Sequence, residues 1–473
     1  MTDSPRDSAR GTAAETTTLL LCGARLTDGR TVDVRLSGSR IEAVGTAGSL
    51  APTASPRTPS HAPDARTDGA RTDSRTDSRT ASRADSRSDF RADFRADSRA
   101  DSRAVARADS RAGDGTRIDL RGYLLLPAPA EPHAHLDLAL TAGAAGPPSD
   151  DPADVQRRAT EAALLQLGHG ATAVRSHVRI GDVQGLLALE AVLQARRALR
   201  GLVEVQAVAV PRVLTGAAGA NGLAMLRDAL KMGATVVGGC PDLDPDPSGY
   251  AEAVVSLAGE FGVPVDLHTA ADDPGRLARL AAMAGGLRPG VTLGPCQGLA
   301  ALPPEAVDCA AQRLAAAGIS VTALPQGGCG GLGSARRDAA LTPVRRLRAA
   351  GVRVTAGSGA LGDLANPVGR GDPLEAAFLL ASYGECGAAQ AYDTVSGRAR
   401  AVLGLPEVRV EAGFPAELLA VRGDGVEGVL SLAYSRIVIH RGRVVSRTSA
   451  VREYCDSASE AVLDLPRQSH REA

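Results

Sequence analysis

The 473 residues carry 53 Lys or Arg against 54 Asp or Glu, a formal net charge of -1, which leaves no electrostatic footprint for nucleic acid or another polyanion. Only 2% of the residues are aromatic and none is Trp, so the core is built from Ala, Val and Leu, and stacking platforms for single-stranded nucleic acid are excluded. Seven scattered cysteines form no Cys-x-x-Cys pair, no apolar run approaches the roughly 20 residues of a membrane span, and the N-terminus lacks a signal-peptide pattern; the expectation is a cytoplasmic protein with reduced thiols and no membrane contact.

Residues 1–17 are small and polar and read as a disordered tail. Residues 18–48 alternate apolar and polar, with turn signals at Asp28-Gly29 and Gly38, the pattern of three short antiparallel strands. Residues 49–115 repeat a four-residue unit of Arg, a small residue, Asp and Ser. Ser and Asp are poor in helix interiors and no apolar stripe exists, so this segment reads as a low-complexity disordered insertion in a surface loop, with an interaction segment as the alternative.

From residue 116 to about 400 the chain alternates. Strand-like runs at 123–130, 171–178, 203–210, 234–240, 263–269, 290–296, 319–325 and 352–357 are separated by amphipathic Ala/Leu/Arg-rich segments such as 154–167, 182–199, 221–232, 250–261 and 304–317. Glycines end several of those segments just before the next strand, at Gly168, Gly233, Gly262, Gly318 and Gly351. About eight βα units predict an α/β fold, a TIM (β/α)8 barrel. A doubly wound sheet is the alternative, but no glycine-rich phosphate fingerprint follows the first strand. Residues 401–448 return to strand pairs, expected to join residues 18–48 in a small β-sandwich made from both chain ends, and 449–473 read as a tail. Glycines at 327–333 read as a mouth loop, since no Gly-Lys-Ser/Thr follows them.

The motif that organises the chain is Leu124–Asp137, where an apolar run ends in Glu131-Pro132-His133-Ala134-His135-Leu136-Asp137. Side chains two apart on a strand share a face, so both imidazoles project to one side, a pairing suited to Zn or Fe. Two surface or hydrogen-bonded histidines are the plain alternative.

The motif, together with AVRSHV at 173–178, VQAVAVPR at 205–212, GATVVGG at 233–239 and VDLHTAADD at 265–273, resembles the amidohydrolase superfamily, within it the cytosine deaminase-like branch. The resemblance implies one divalent metal in the barrel mouth, held by His133, His135, His268 and an Asp ending strand 8, and metal-dependent hydrolytic deamination of an amino-heterocycle or other C–N hydrolysis. It also implies a proton-shuttling Glu three residues after His268, a His ending strand 6 and a substrate-reading Gln after strand 3. Here those positions hold Ala271, Pro295, Gly359 (for the Asp) and Arg212. Neither Ala nor Pro carries a proton, so a deaminase of impaired or absent activity is expected. Lys231 stands near a helix end and cannot supply the carbamylated bridge of two-metal relatives.

Asp272 and Asp273 are substitute bases or helix caps, Cys296 and Asp363 are extra ligand candidates or packing and capping residues, and Arg212 is a substrate contact. His177 reads as a supporting residue and His169 as structural. Two other readings stay open: a working C–N hydrolase with a rearranged site for an anionic substrate, and a non-catalytic binding or scaffold protein using the Arg/Asp repeat. The expected partner is a small-molecule ligand in the barrel mouth, with a homo-oligomer allowed and no nucleic acid.

Overall fold

A computed structural model describes residues 18–50, 116–143, 146–181, 185–327, 340–432 and 434–450. The predicted N-terminal tail, all but the first two residues of the predicted C-terminal tail, the Arg/Asp repeat and most of the glycine-rich loop lie outside them.

Two sheets account for the architecture. The first strands are β1 (Thr18–Arg25), β2 (Thr31–Ser37), β3 (Arg40–Thr46), β4 (Thr116–Asp119) and β5 (Tyr123–Pro127). The last are β14 (Leu418–Arg422), β15 (Arg436–His440) and β16 (Arg443–Thr448). Together they form one eight-stranded sheet from both chain ends, in the order β16-β15-β14-β5-β1-β2-β3, with β4 beside β1. Leu36 and Ile41 from one end of this sheet share a core cluster with Ile437 and Ile439 from the other, so the sheet folds over its own apolar face. Val408 and Val410 pack on that core without forming a strand.

The second sheet is the parallel barrel. Its strands are β6 (Ala130–Ala134), β7 (Ala173–Ile180), β8 (Glu204–Pro211), β9 (Val236–Gly239), β10 (Val265–Thr269), β11 (Val291–Pro295), β12 (Ser320–Ala323) and β13 (Arg353–Ala356). They pair in chain order from β6 to β13, the TIM arrangement. The apolar run 123–130 is therefore divided. Residues Tyr123–Pro127 pair antiparallel with β14, and the barrel begins only at Ala130.

The helices show how the sequence sets their starts. Asp-Pro opens four of them, at Asp151, Asp246, Asp273 and Asp372, and each Asp carboxylate accepts N–H bonds from the first turn. Proline fits the first helical position because its missing N–H has no partner there in any case, and the carboxylate serves the orphan donors behind it. Gly262 and Gly318 end their helices in the left-handed conformation, as the sequence pattern suggested. Among the described residues no helix is long and apolar enough to cross a membrane.

Within the barrel, strand alternation sorts residues to two faces. On β10, Val265 and Leu267 join the large core under the helices, while Asp266 and His268 take the other face, toward the barrel axis. The interior floor is polar: Arg175 donates to Asp266 (2.8 Å), to Gln206 Oε1 (3.1 Å) and to the Val402 carbonyl (3.0 Å), and Gln206 donates to the Leu403 carbonyl (2.7 Å). The seam lies between β13 and β6. There Gly359 N–H donates to the His133 carbonyl (3.1 Å), and the Ser358 N–H and hydroxyl donate to the Glu131 carboxylate (2.9 and 2.6 Å).

Candidate metal centre

Parallel strands put all their C-terminal ends at one rim, and the histidines collect there. His133 and His135 come from β6 and its first following residue, His177 from β7 and His268 from β10. All four are buried. The rings of His133 and His177 stack with centroids 4.0 Å apart, and His268 meets them edge-on at 4.5 and 4.6 Å. His268 Nε2 lies 3.3 Å from His135 Nε2.

That last distance has a chemical meaning. Two imidazole nitrogens on a tetrahedral zinc, each about 2.0–2.1 Å from the ion, stand roughly 3.3 Å apart. The separation of His135 and His268 therefore matches two ligands of one ion. Ligand atoms of His133, His177 and His268 also lie within 4.8 Å of one another. Burial, reinforced by the neighbouring histidines, holds the His133 and His268 imidazoles well below their usual range and brings His135 down to about 3. Neutral imidazole is the form that binds a metal. His177 Nδ1 has no hydrogen-bond partner among the described residues. By donor type and burial all four histidines suit a divalent ion; by spacing, His133, His177 and His268 form one group, and His135 adjoins it through His268.

The packing around the cluster explains its local sequence. A Cβ at Gly357 would overlap Glu131 Oε1, so only glycine admits the Glu131 carboxylate between β6 and the end of β13. Burial raises Glu131 to about 7 against the bonds from Ser358 and the His133 N–H. Burial also raises Asp137 to about 6, opposed by Arg179 and Arg158. For Asp266, burial is outweighed by His177 and Arg175, which hold its carboxyl below the usual range.

The positions where a departure from the deaminase pattern is expected lie at the same rim. Ala271 is buried with φ 58° and donates its N–H to Thr269 Oγ1 (3.0 Å). Pro295 ends β11, and its carbonyl accepts from Thr342 Oγ1 (2.6 Å). Gly359 has φ 73° at the seam.

The other candidates are placed as follows. Asp273 caps the helix Pro274–Ala284 and also binds Arg276 (3.0 Å), while Asp272 is exposed and pairs with Arg276 (3.3 Å). Asp363 accepts from the Ala365 and Asn366 N–H groups (2.9 Å each). Cys296 is buried in the left-handed region, with its thiol pushed far up by burial. Among the described residues, none of these four shares a hydrogen bond or ion pair with the histidines. Arg212 is exposed just past β8. His169 caps the helix Pro152–Gly168 and faces the Gly371 carbonyl (3.1 Å), away from the cluster.

His177 and Asp266 carry more weight at this site than their local sequence suggests. His177 belongs to the histidine cluster itself, and Asp266 stands under it, with Oδ1 3.3 Å from His177 Nε2. The signal for Asp266 was its place two residues before His268 in Val-Asp-Leu-His, which puts both on one face.

The chain is similar to several known proteins. The amidohydrolase family model matches residues 137–446. The chain is 28% identical over 178 residues to the N-isopropylammelide isopropyl amidohydrolase of Pseudomonas sp. (strain ADP), covering 32% of this chain and 43% of that protein. It is 27% identical over 181 residues to the pterin deaminase of Rhizobium rhizogenes (strain K84 / ATCC BAA-868), covering 37% of this chain and 40% of that protein. It thus spans less than half the length of these curated relatives. In three dimensions it is similar to 5-methylcytosine deaminase from Klebsiella pneumoniae liganded with 5-fluorocytosine, with 22% identity, a TM-score of 0.69, and 93% of this chain and 99% of that chain covered. It is also similar to N-isopropylammelide isopropylaminohydrolase from Burkholderia multivorans ATCC 17616, with 22% identity, a TM-score of 0.68, and 92% and 100% covered. These two likenesses are of fold.

Proposed function

The chain belongs to the amidohydrolase family, and we propose that its barrel mouth is a metal centre of the C–N hydrolase type whose proton-transfer apparatus is depleted. The observation that carries the reading is the 3.3 Å approach of His135 Nε2 to His268 Nε2 inside a buried cluster of four histidines. His133, His135 and His268 would hold the ion, zinc or iron. When bound, such an ion supplies a Lewis acid and lowers the pKa of a water.

What the chain's own residues do is limited. Hydrolytic deamination needs a group that takes a proton from water and delivers it to the ring nitrogen and the leaving amine. Ala271, Pro295 and Gly359 have no such group. Glu131, the buried carboxylate nearest in sequence to His133, spends both oxygens on the seam, accepting from His133 N–H, Ser358 N–H and the Ser358 hydroxyl. Asp272, the proposed substitute base, is turned to Arg276. These engagements favour a weakened or inactive deaminase over a rearranged working enzyme. A small molecule in the mouth is the partner this reading implies.

The test is ammonia release from cytosine and related amino-heterocycles by zinc- or iron-loaded protein. Loss of general acid–base catalysis alone predicts a rate lower by about 10²–10⁴-fold than a family member with the full set. Turnover at a family-typical rate, abolished by His268→Ala, would overturn the reading.

A further inference from the structure

We propose that His177 is itself a ligand of the metal, taking the place of the carboxylate missing after β13, and that Asp266 is the carboxylate that orients it. This rests on the metal-centre reading and goes beyond it, because it changes the kind of site the barrel holds.

The geometry starts at neighbouring strands. Ala134 on β6 pairs with Ser176 on β7, so His177 sits level with His135, one strand over. Its ring stacks on His133 and meets His268 edge-on. Its ligand atom lies within 4.8 Å of those of His133 and His268.

The second observation is an idle nitrogen. Neither ring nitrogen of His177 makes a hydrogen bond among the described residues, although the residue is fully buried. Nε2 faces Asp266 Oδ1 at 3.3 Å, which leaves Nδ1 as the nitrogen to offer. A buried polar atom with no partner is costly, and a metal ion would satisfy it.

The third is the carboxylate behind the ring. Asp266 is buried and anchored through Oδ2 by Arg175 (2.8 Å), so Oδ1 is held against His177. A carboxylate behind a ligating histidine fixes the ring's orientation and raises its basicity. It also returns to the site the negative charge that Gly359 does not supply. Arg175 and His177, and Asp266 and His268, are each two residues apart on their strands, so the same alternation that builds the floor builds the support.

The consequence is a closed coordination shell. Catalytic zinc sites keep a position for water, whereas four protein ligands make a structural site. His133, His135, His177 and His268 together would fill a tetrahedral ion, leaving no position for an attacking water.

The experiment uses the full-length protein, stripped with a chelator and titrated with Zn²⁺ against a chromophoric competitor, for wild type, His133→Ala, His177→Ala and Asp266→Asn. The expected result is one tight site in wild type, a loss of affinity of about 100-fold or more in His177→Ala, and a loss of about 10–100-fold in Asp266→Asn. A crystal structure of zinc-loaded wild type, which depends on no variant folding, should place the ion about 2.0–2.1 Å from a His177 nitrogen. An ion bound by His133, His135 and His268 with His177 beyond bonding distance, or unchanged affinity in His177→Ala, overturns the inference and leaves the metal-centre reading standing. Wild type without a zinc site overturns both.

Discussion

Putting a side chain at Gly359 should destabilise the protein, and this bears on whether its chemistry can be restored by substitution. Residue 359 is buried with φ 73°, a backbone that L-residues enter at a cost of about 1–2 kcal/mol, less for Asp than for Ala. A Cβ there would stand 3.1 and 3.4 Å from the Leu324 methyl carbons, so Leu324 must shift by a few tenths of an ångström. Leu324 is itself buried, and overpacking of this kind costs about 1 kcal/mol or more. Gly359→Ala should therefore lose about 2–3 kcal/mol in urea unfolding. Gly359→Asp should lose at least as much without metal, because it also buries a carboxylate. The combined substitution Ala271→Glu, Pro295→His and Gly359→Asp would then place its aspartate on a backbone suited to glycine, and family-typical turnover should not result. Unfolding midpoints of both single variants within about 0.5 kcal/mol of wild type would refute the reasoning.

Other consequences concern the junction of barrel and end sheet. Arg436 on β15 donates twice to Asp372 (2.9 and 2.6 Å) and once to the His169 carbonyl (2.6 Å), with both side chains buried. Arg436→Ala leaves a buried carboxylate unpaired and should cost about 3–5 kcal/mol by urea unfolding, where a surface pair would give less than about 1. Arg436 and the helix N–H of Leu374 hold Asp372 below the usual carboxylate range, against the raising effect of burial. A depressed folded-state pKa contributes stability above the unfolded value near 4, and that contribution is lost as pH falls through the folded value. Asp372→Asn should accordingly flatten the loss of stability below about pH 4; an unchanged acid limb in the variant would contradict this.

The barrel was legible in the sequence, and so were three of the four clustered histidines, His133 and His135 from their motif and His268 through the family resemblance. Eight apolar runs between amphipathic segments carry the βα count, and Glu131-Pro132-His133-Ala134-His135 shows two imidazoles on one face by period two alone. The division at residues 123–130 was hidden, because strands buried in either sheet read as the same continuous apolar run. Ala-Thr-Ala-Val-Arg-Ser-His-Val hid the role of His177 for the same reason: in a parallel strand covered on both sides, apolar alternation does not say which face a polar residue takes. Asp273 was ambiguous between base and cap, and the recurrence of Asp-Pro at four helix starts resolves it as a cap. No local pattern announces the left-handed backbone of Gly359, since it arises where the end of β13 meets β6.

The central claim is that the buried histidines bind a metal, and elemental mass spectrometry of the purified protein beside its His133→Ala variant tests it most directly. The account predicts about one divalent ion per chain in the wild type, lost in the variant together with part of its thermal stability. A wild type that carries no metal after purification and takes up none from added zinc or iron would contradict it.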